Sequence, residues 1–387
     1  MAAICTPARA IFCVLVLLVT LLPRGALANE STNLESMLEE TTEPLEQLER
    51  RSKRDWVAMP IPILNPTLDA GLALAVMRLY KQDPNSSASS VGGGGFATSN
   101  GSWGGGLFTK NYLKKDSIRV TSALGYADLN LNFYGIGNND QSTVGLVDRL
   151  GINQQGYFAF AQSLWRVFPN FYIGPRLRYL SLRSGLRLSE ESLSEDPITD
   201  ILTLDLDSIG PGLKLEWDTR DDAWSPRRGQ FLEGSMDTSI ESLGSQRNYQ
   251  KYNLRWSAYW GLGERDVFAI NATACAASDE APFYDICLIG QGKNLRGYEG
   301  GRYRDSRMLT AQVEYRKSLP KRLGVVFFGG LGQVASSFGD FNRENIRHSL
   351  GLGLRWIASV EHGVRLSVDY AWGDDGHATY FYIGESF

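Results

Sequence analysis

Past Trp56 the chain alternates between apolar and polar residues. In "KYNLRWSAYWGL", Tyr252, Leu254, Trp256, Ala258, Trp260 and Leu262 share one face, and Lys251, Asn253, Arg255, Ser257 and Tyr259 share the other. "SLGLGLRWI" sets Leu350, Leu352, Leu354 and Trp356 against Ser349, Gly351, Gly353 and Arg355; "VRLSVDYAW" sets Val364, Leu366, Val368, Tyr370 and Trp372 against Arg365, Ser367, Asp369 and Ala371. A period of two belongs to a strand, whose successive side chains point to opposite faces. Tryptophan and tyrosine gather near strand ends on the apolar faces, while the polar faces carry arginines and carboxylates. That is the arrangement of strands with lipid outside and a polar interior.

The pattern predicts an all-β fold, a transmembrane antiparallel β-barrel of about sixteen strands. The first strands are expected near 69–82, 88–99 and 101–111, followed by 117–126 and 129–135, and the last near 378–387. If the first strand runs outward, the turns "FPN", "WSPRRG", "LGERD", "LPKR" and "SVEHG" fall on the periplasmic side, and the longest connection, 280–306, falls outside. Closure is required because an open sheet would leave unpaired amides in hydrocarbon. The glycine-rich "VGGGG" at 91–95 has no Gly-Lys-Ser/Thr after it, so it reads as a weak strand and not as a phosphate loop.

The amino-terminal pattern differs. Arg9 precedes the apolar run "AIFCVLVLLVTLLP", and Ala26 and Ala28 then offer the small residues of a signal-peptidase site, so residues 1–28 read as a cleaved export signal. A spanning helix needs about 20 apolar residues, more than this run holds. Residues 29–55 are charged, with Leu34, Met37, Leu38, Leu45 and Leu48 at roughly helical spacing around Pro44, which suits a short periplasmic tether or helix. Residues 56–387 are then the barrel.

Composition narrows the function. A formal net charge of −4 offers no basic face for nucleic acid. His348, His362 and His377 lack metal-ligand spacing, the pair Asp221 and Asp222 adjoins a turn, and no nucleophile motif is present, so neither an enzyme nor a cofactor is expected. Cys5 and Cys13 leave with the signal; Cys275 and Cys287 remain in an oxidising compartment, either paired or free.

One stretch breaks the alternation: "GQGKNLRGYEGG", Gly290 to Gly301, holds Arg296 among five glycines. On the following strand, "RMLTAQVEYRKS", Leu309, Ala311, Val313 and Tyr315 face lipid, so Thr310, Gln312, Glu314 and Arg316 face inward. A loop folding back through the mouth, hinged at Gly290, Gly292 and Gly297, would bring the guanidinium of Arg296 onto Glu314 as a planar pair. The alternative is an exposed loop whose arginine meets only water.

"APFYDICLIGQGKNLRGY" followed by the strand with Glu314 resembles the sixth-loop motif of the BamA/TamA-like bacterial surface antigens, an outer-membrane insertase and translocase superfamily. "WDTRDDAWSPRRGQF", "FYGIGNN" and the ending "VRLSVDYAWGDDGHATYFYIGESF" agree with it. The resemblance spans most of residues 56–387 and implies a Gram-negative outer-membrane location. The loop motif falls on Leu295, Arg296, Gly297 and Tyr298. Two departures stand out. The 27 residues between the expected cut and Trp56 cannot hold a periplasmic POTRA domain, which leaves a separate periplasmic partner chain as one option. Where the family places an inward aspartate, this chain has Gly330, so Arg296 rests on Glu314 alone or borrows Asp369, Glu216 or Asp218.

The ending places Phe381, Ile383 and Phe387 on one face with Thr379, as in strands read by the barrel assembly machinery during insertion among outer-membrane lipids. The implied function is outer-membrane biogenesis or translocation through a seam between first and last strands, weakened by the poor alternation of "AGLALAVMRLY" and the strand after it. The alternatives are a plugged passive pore and a structural surface antigen.

Overall fold

The computed structural model describes residues 56–80, 89–138, 150–187, 204–222, 225–263, 265–290, 294–320, 322–359 and 364–387. The expected signal and tether, Gly292 and most of the "SVEHG" turn lie outside these. The strands are β1 (Trp56–Asn65), β2 (Asp69–Tyr80), β3 (Ser89–Thr98), β4 (Trp103–Leu113), β5 (Ile118–Phe133), β6 (Leu150–Phe168), β7 (Phe171–Arg187), β8 (Leu204–Asp218) and β9 (Gly229–Ser239). They continue as β10 (Tyr249–Leu262), β11 (Asp266–Ala277), the two-residue β12 (Cys287–Leu288) and β13 (Arg304–Asp305), then β14 (Arg307–Ser318), β15 (Leu323–Ala335), β16 (Arg347–Ser359), β17 (Val364–Gly373) and β18 (Gly376–Ile383). All but β12 and β13 form one closed antiparallel barrel of sixteen strands in which β11 pairs with β14 and β1 with β18.

The strand number matches the expectation, but the amino-terminal assignment does not. The first strand is Trp56–Asn65, one element earlier than expected, and the two segments expected at 117–126 and 129–135 are the single strand β5. The two differences cancel in the count, yet they reverse the direction of everything from β2 to β4. Pro60 and Pro62 hide β1 from a pattern reading, because proline cannot donate to a ladder. Asp128 and Asn130 make β5 look interrupted in sequence, although both lie in continuous register with Gln155 and Asn153 of β6.

β1 pairs with β2 along all ten of its residues, whereas the ladder to β18 has a single pair, Leu64 with Phe381. The reason lies in the sequence. The amide of Ser99 donates to Ala70 O, so even-numbered residues of β2 turn toward β3 and odd-numbered ones toward β1. Through the β1–β2 register, odd-numbered residues of β1 bond to β2, and even-numbered ones face β18. In the register set by Leu64 with Phe381, Pro62 falls opposite Ile383 and Pro66 opposite Thr379, so the positions on either side of the one pair lack an N–H, while Pro60 falls opposite Glu385, beyond the end of β18. The weak joint is thus a proline row. It does not come from the strands expected to be weak, since β2 and β3 pair fully from Gly71 with Thr98 to Tyr80 with Ser89.

Exposed Trp56, Trp165, Phe168, Trp260 and Trp356 ring the short-turn end, and exposed Trp103, Tyr157, Tyr252 and Trp372 stand toward the other. The interior departs from the uniformly polar lumen expected. The inner faces of β7–β10 and β14–β17 carry buried ions, among them Arg176, Arg178, Lys214, Asp237, Glu314, Arg355 and Asp369. Those of β1, β2, β5 and β6 are mainly apolar, from Ile61 and Met77 to Phe158 and Phe160.

Candidate functional site

The connection from β11 to β14 folds into the lumen and is anchored on several walls. At its base Cys275 of β11 is disulfide-bonded to Cys287 of β12, with Cα atoms 5.7 Å apart. β12 and β13 close a small hairpin, Cys287 opposite Asp305 and Leu288 opposite Arg304.

The descending limb carries Asp285, which is fully buried. Its carboxylate accepts from both terminal nitrogens of Arg178 on β7, from Lys251 Nζ at 3.1 Å and from Tyr249 OH at 2.6 Å on β10. Burial alone would push the Asp285 carboxyl up, but Arg178 and Lys251 outweigh it and hold the group well below the usual carboxylate range.

The tip is shaped by Asn294. Its side-chain oxygen accepts from Gly290 N at 3.1 Å and Leu295 N at 2.6 Å, and its amide donates to Leu288 O at 2.8 Å. Arg296 is 2% exposed. One terminal nitrogen donates to Glu314 of β14 and the other to Asp369 of β17, while its Nε and backbone N lie 3.3 Å from Gln312 Oε1. The guanidinium carbon stands 3.6 Å from the Phe328 ring centroid on β15, a cation–π contact. Of the alternatives for a second acid, Asp369 takes the place; Glu216 is engaged by Arg119 and Asp218 by Arg220.

Gly330 has a different use. A Cβ there would come within 2.7 Å of Leu295 Cδ1, and one at Gly332 within 2.8 Å of Leu295 Cδ2, so two bare positions on β15 receive the leucine beside the arginine. Gly297, at φ 107°, passes so close to β17 that a Cβ would lie 3.1 Å from both Gly373 N and Trp372 O. Tyr298 donates to His348 O at 2.5 Å and lies 3.2 Å from Asp374 Oδ2. Glu299 accepts from Asn132 Nδ2 at 2.8 Å and Tyr134 OH at 2.5 Å, tying the ascending limb to the β5 side.

The acids under Arg296 have further partners. Glu314 accepts from Arg316 Nε at 2.8 Å and Ser386 Oγ at 2.6 Å; Asp369 accepts from Arg355 and Tyr382. Glu385 joins Arg355 at 2.8 Å and Arg365 at 2.9 Å.

The ending differs from the single apolar face expected for Phe381, Ile383 and Phe387. β18 stops at Ile383, Gly384 turns at φ 99°, and the last residues leave the strand. Phe387 is buried beside Tyr259, Val267 and Ala269, and Glu385 lies in the ion network. Glycine at 384 and a glutamate two residues after Ile383 are the legible signs.

Sequence reasoning singles out the tip and Glu314 but misses Asp285, whose one signal is an acid inside the apolar "FYDICLI". The arrangement clamps a polypeptide segment across the lumen.

A model of the Omp85 superfamily domain matches residues 91–387. Among solved structures, BamA from Haemophilus ducreyi lacking POTRA domains 1–3 is similar with a TM-score of 0.59 at 15% identity, over 86% of this chain and 71% of that one. CdiB from Escherichia coli has a TM-score of 0.55 at 12% identity, over 89% and 70%. CdiB from Acinetobacter baumannii has 0.54 at 12%, over 85% of this chain and 60% of that one. Identities this low speak to fold alone, and no curated protein matches. The domain match, running from the third strand through the last residue, decides the family: the chain belongs to the Omp85 superfamily of outer-membrane β-barrels.

Proposed function

We propose that this barrel acts in outer-membrane biogenesis or translocation by parting β1 from β18, with the loop tipped by Leu295, Arg296, Gly297 and Tyr298 holding the lumen closed. The observation that carries the reading is the proline row: one ladder pair joins the two strands, where a continuous joint would have several. A net backbone hydrogen bond contributes about 0.5–1.5 kcal/mol, so each missing donor lowers the cost of parting by about that much. Client chains, lipids and a separate periplasmic partner are the partners such a seam would serve, and Phe381, Ile383 and Phe387 are proposed as the signal for the protein's own assembly.

The test is a tether. Leu64→Cys with Phe381→Cys, opposite one another in register, is oxidised in the native cell and followed by a census of outer-membrane proteins and lipids. The reading predicts that the tethered form reproduces the census of a depleted strain, with recovery on reduction, against a reductant-treated wild-type control. A normal census with the tether closed contradicts it.

A plugged passive pore is favoured by a different feature, the buried Arg296 pairs with Glu314 and Asp369. That reading predicts a change in small-solute uptake on depletion, with outer-membrane proteins intact.

A further inference from the structure

The turn joining β4 to β5, at the short-turn end, runs against backbone preference. Lys114, Lys115 and Asp116 follow one another at φ 48°, 57° and 61°. This left-handed region crowds a Cβ against the following carbonyl oxygen, and glycine, asparagine and aspartate enter it with least strain. Aspartate therefore suits the third position, whereas lysine suits neither of the first two. A strained backbone points to a use for the side chains it carries. Both lysines are exposed, and neither has a carboxylate partner among the described residues.

The one acid in the turn is withdrawn from them. Asp116 accepts from Arg119 Nε at 2.9 Å and Nη2 at 2.8 Å and from Tyr172 OH at 2.8 Å, and Arg119 continues to Glu216 of β8. The neighbouring turn, from β6 to β7, is clasped to the first through Ser117. Its Oγ accepts from Arg166 Nη2 at 2.6 Å, and its backbone oxygen accepts from Arg166 N at 2.9 Å. Two joined turns thus present three exposed cations, Lys114, Lys115 and Arg166. Exposed Trp165, Val167 and Phe168 frame the arginine.

Depth decides what meets them. Leu113, Ile118 and Trp165 stand side by side in register across β4, β5 and β6. Trp165 belongs to the aromatic ring of the short-turn end, and Lys114 and Lys115 follow one and two residues beyond its row, within about 7 Å at ~3.3 Å per residue. The headgroup layer is about 5–7.5 Å deep on each side, from a ~30 Å core within ~40–45 Å overall. We infer that the two clasped turns bind the phosphate of an anionic glycerophospholipid in the leaflet at the short-turn end, its acyl chains lying against Trp165 and Phe168. A zwitterionic lipid would bring a cation of its own among three others. An acidic peptide could use the lysines but not the apolar side chains beside Arg166.

The experiment is native mass spectrometry of the full barrel released from detergent micelles, with dioleoyl phosphatidylglycerol, dioleoyl phosphatidylcholine and water-soluble sn-glycerol 3-phosphate as probes. One retained phosphatidylglycerol is expected, preferred at least tenfold over phosphatidylcholine and not displaced by glycerol phosphate. Lys114→Asn/Lys115→Asn/Arg166→Gln suits the left-handed backbone and keeps a donor for Ser117, so heat-modifiable mobility should show a folded barrel. In it the preference falls at least fivefold while phosphatidylcholine retention stays. Arg343→Gln, at an exposed cation of the other end, leaves the preference unchanged. No preference in wild type, or an unchanged one in the triple variant, overturns the assignment. So does displacement by glycerol phosphate, which would mark a site for soluble phosphate. A preference that emerges only when the seven glutamates within residues 30–49 become glutamine also overturns it, because the chain's own acidic segment would then hold the cations. None of these readouts involves the β1–β18 joint.

Discussion

At Arg296 the geometry is that of a buried, fully engaged cation. Removing one member of such a cluster leaves its partners as uncompensated charges, at a cost of about 3–5 kcal/mol. Arg296→Lys, a point charge on a flexible stem, cannot reproduce a planar fork reaching Glu314 and Asp369 together. Gly330→Asp restores the residue the family motif expects, but here it should expel Leu295, whose Cδ1 would lie 2.7 Å from the new Cβ. The overpacking cost is about 1–3 kcal/mol, and we expect faster protease cleavage within 288–304; unchanged cleavage would show that the tip can repack. Asp285 allows a pH prediction with a definite sign. Its folded-state pKa is depressed, so its contribution is present above the unfolded carboxylate value of about 3.9 and is lost only as pH falls through the lower folded value. The descending limb should stay protected from hydrogen exchange at pH 4 in wild type but not in Asp285→Asn. Arg296 and Glu314 were legible because a lone arginine among glycines preceded a strand with an inward acid. Asp285 was not, because its partners Arg178, Tyr249 and Lys251 come from strands remote in sequence.

Among the elements, alternation located the strands that have lipid on one side and ions on the other, such as β10, β14 and β17. It failed where the lumen itself is apolar. β2 shows buried Ala73, Ala75, Met77 and Leu79 inside and exposed Leu72, Leu74 and Val76 outside, so its pattern carries almost no period-two signal. β1 failed for another reason: its prolines serve an edge whose ladder is barely made. Replacing Pro62 with threonine returns the donor opposite Ile383, the last residue of β18. If it bonds to β18, the barrel gains about 0.5–1.5 kcal/mol and should unfold at a higher temperature in heat-modifiability gels. An unchanged transition would show that the β18 ending, turned away at Gly384, is what keeps the joint short.

For the whole molecule, barrel class, strand number and the inward sixth loop were readable, because hydrocarbon allows few backbone solutions. The division of the interior was not, because it depends on which inner faces lie side by side after closure. The proposed barrel, shut by one docked loop and openable at one joint, would have a direct electrical signature. The measurement is single-barrel conductance in a planar bilayer, comparing wild type with Arg296→Ala while the Cys275–Cys287 bond is kept intact. A low, quiet wild-type current and frequent stepwise openings in the variant are expected. Indistinguishable current records from the two proteins would contradict the docked-loop closure.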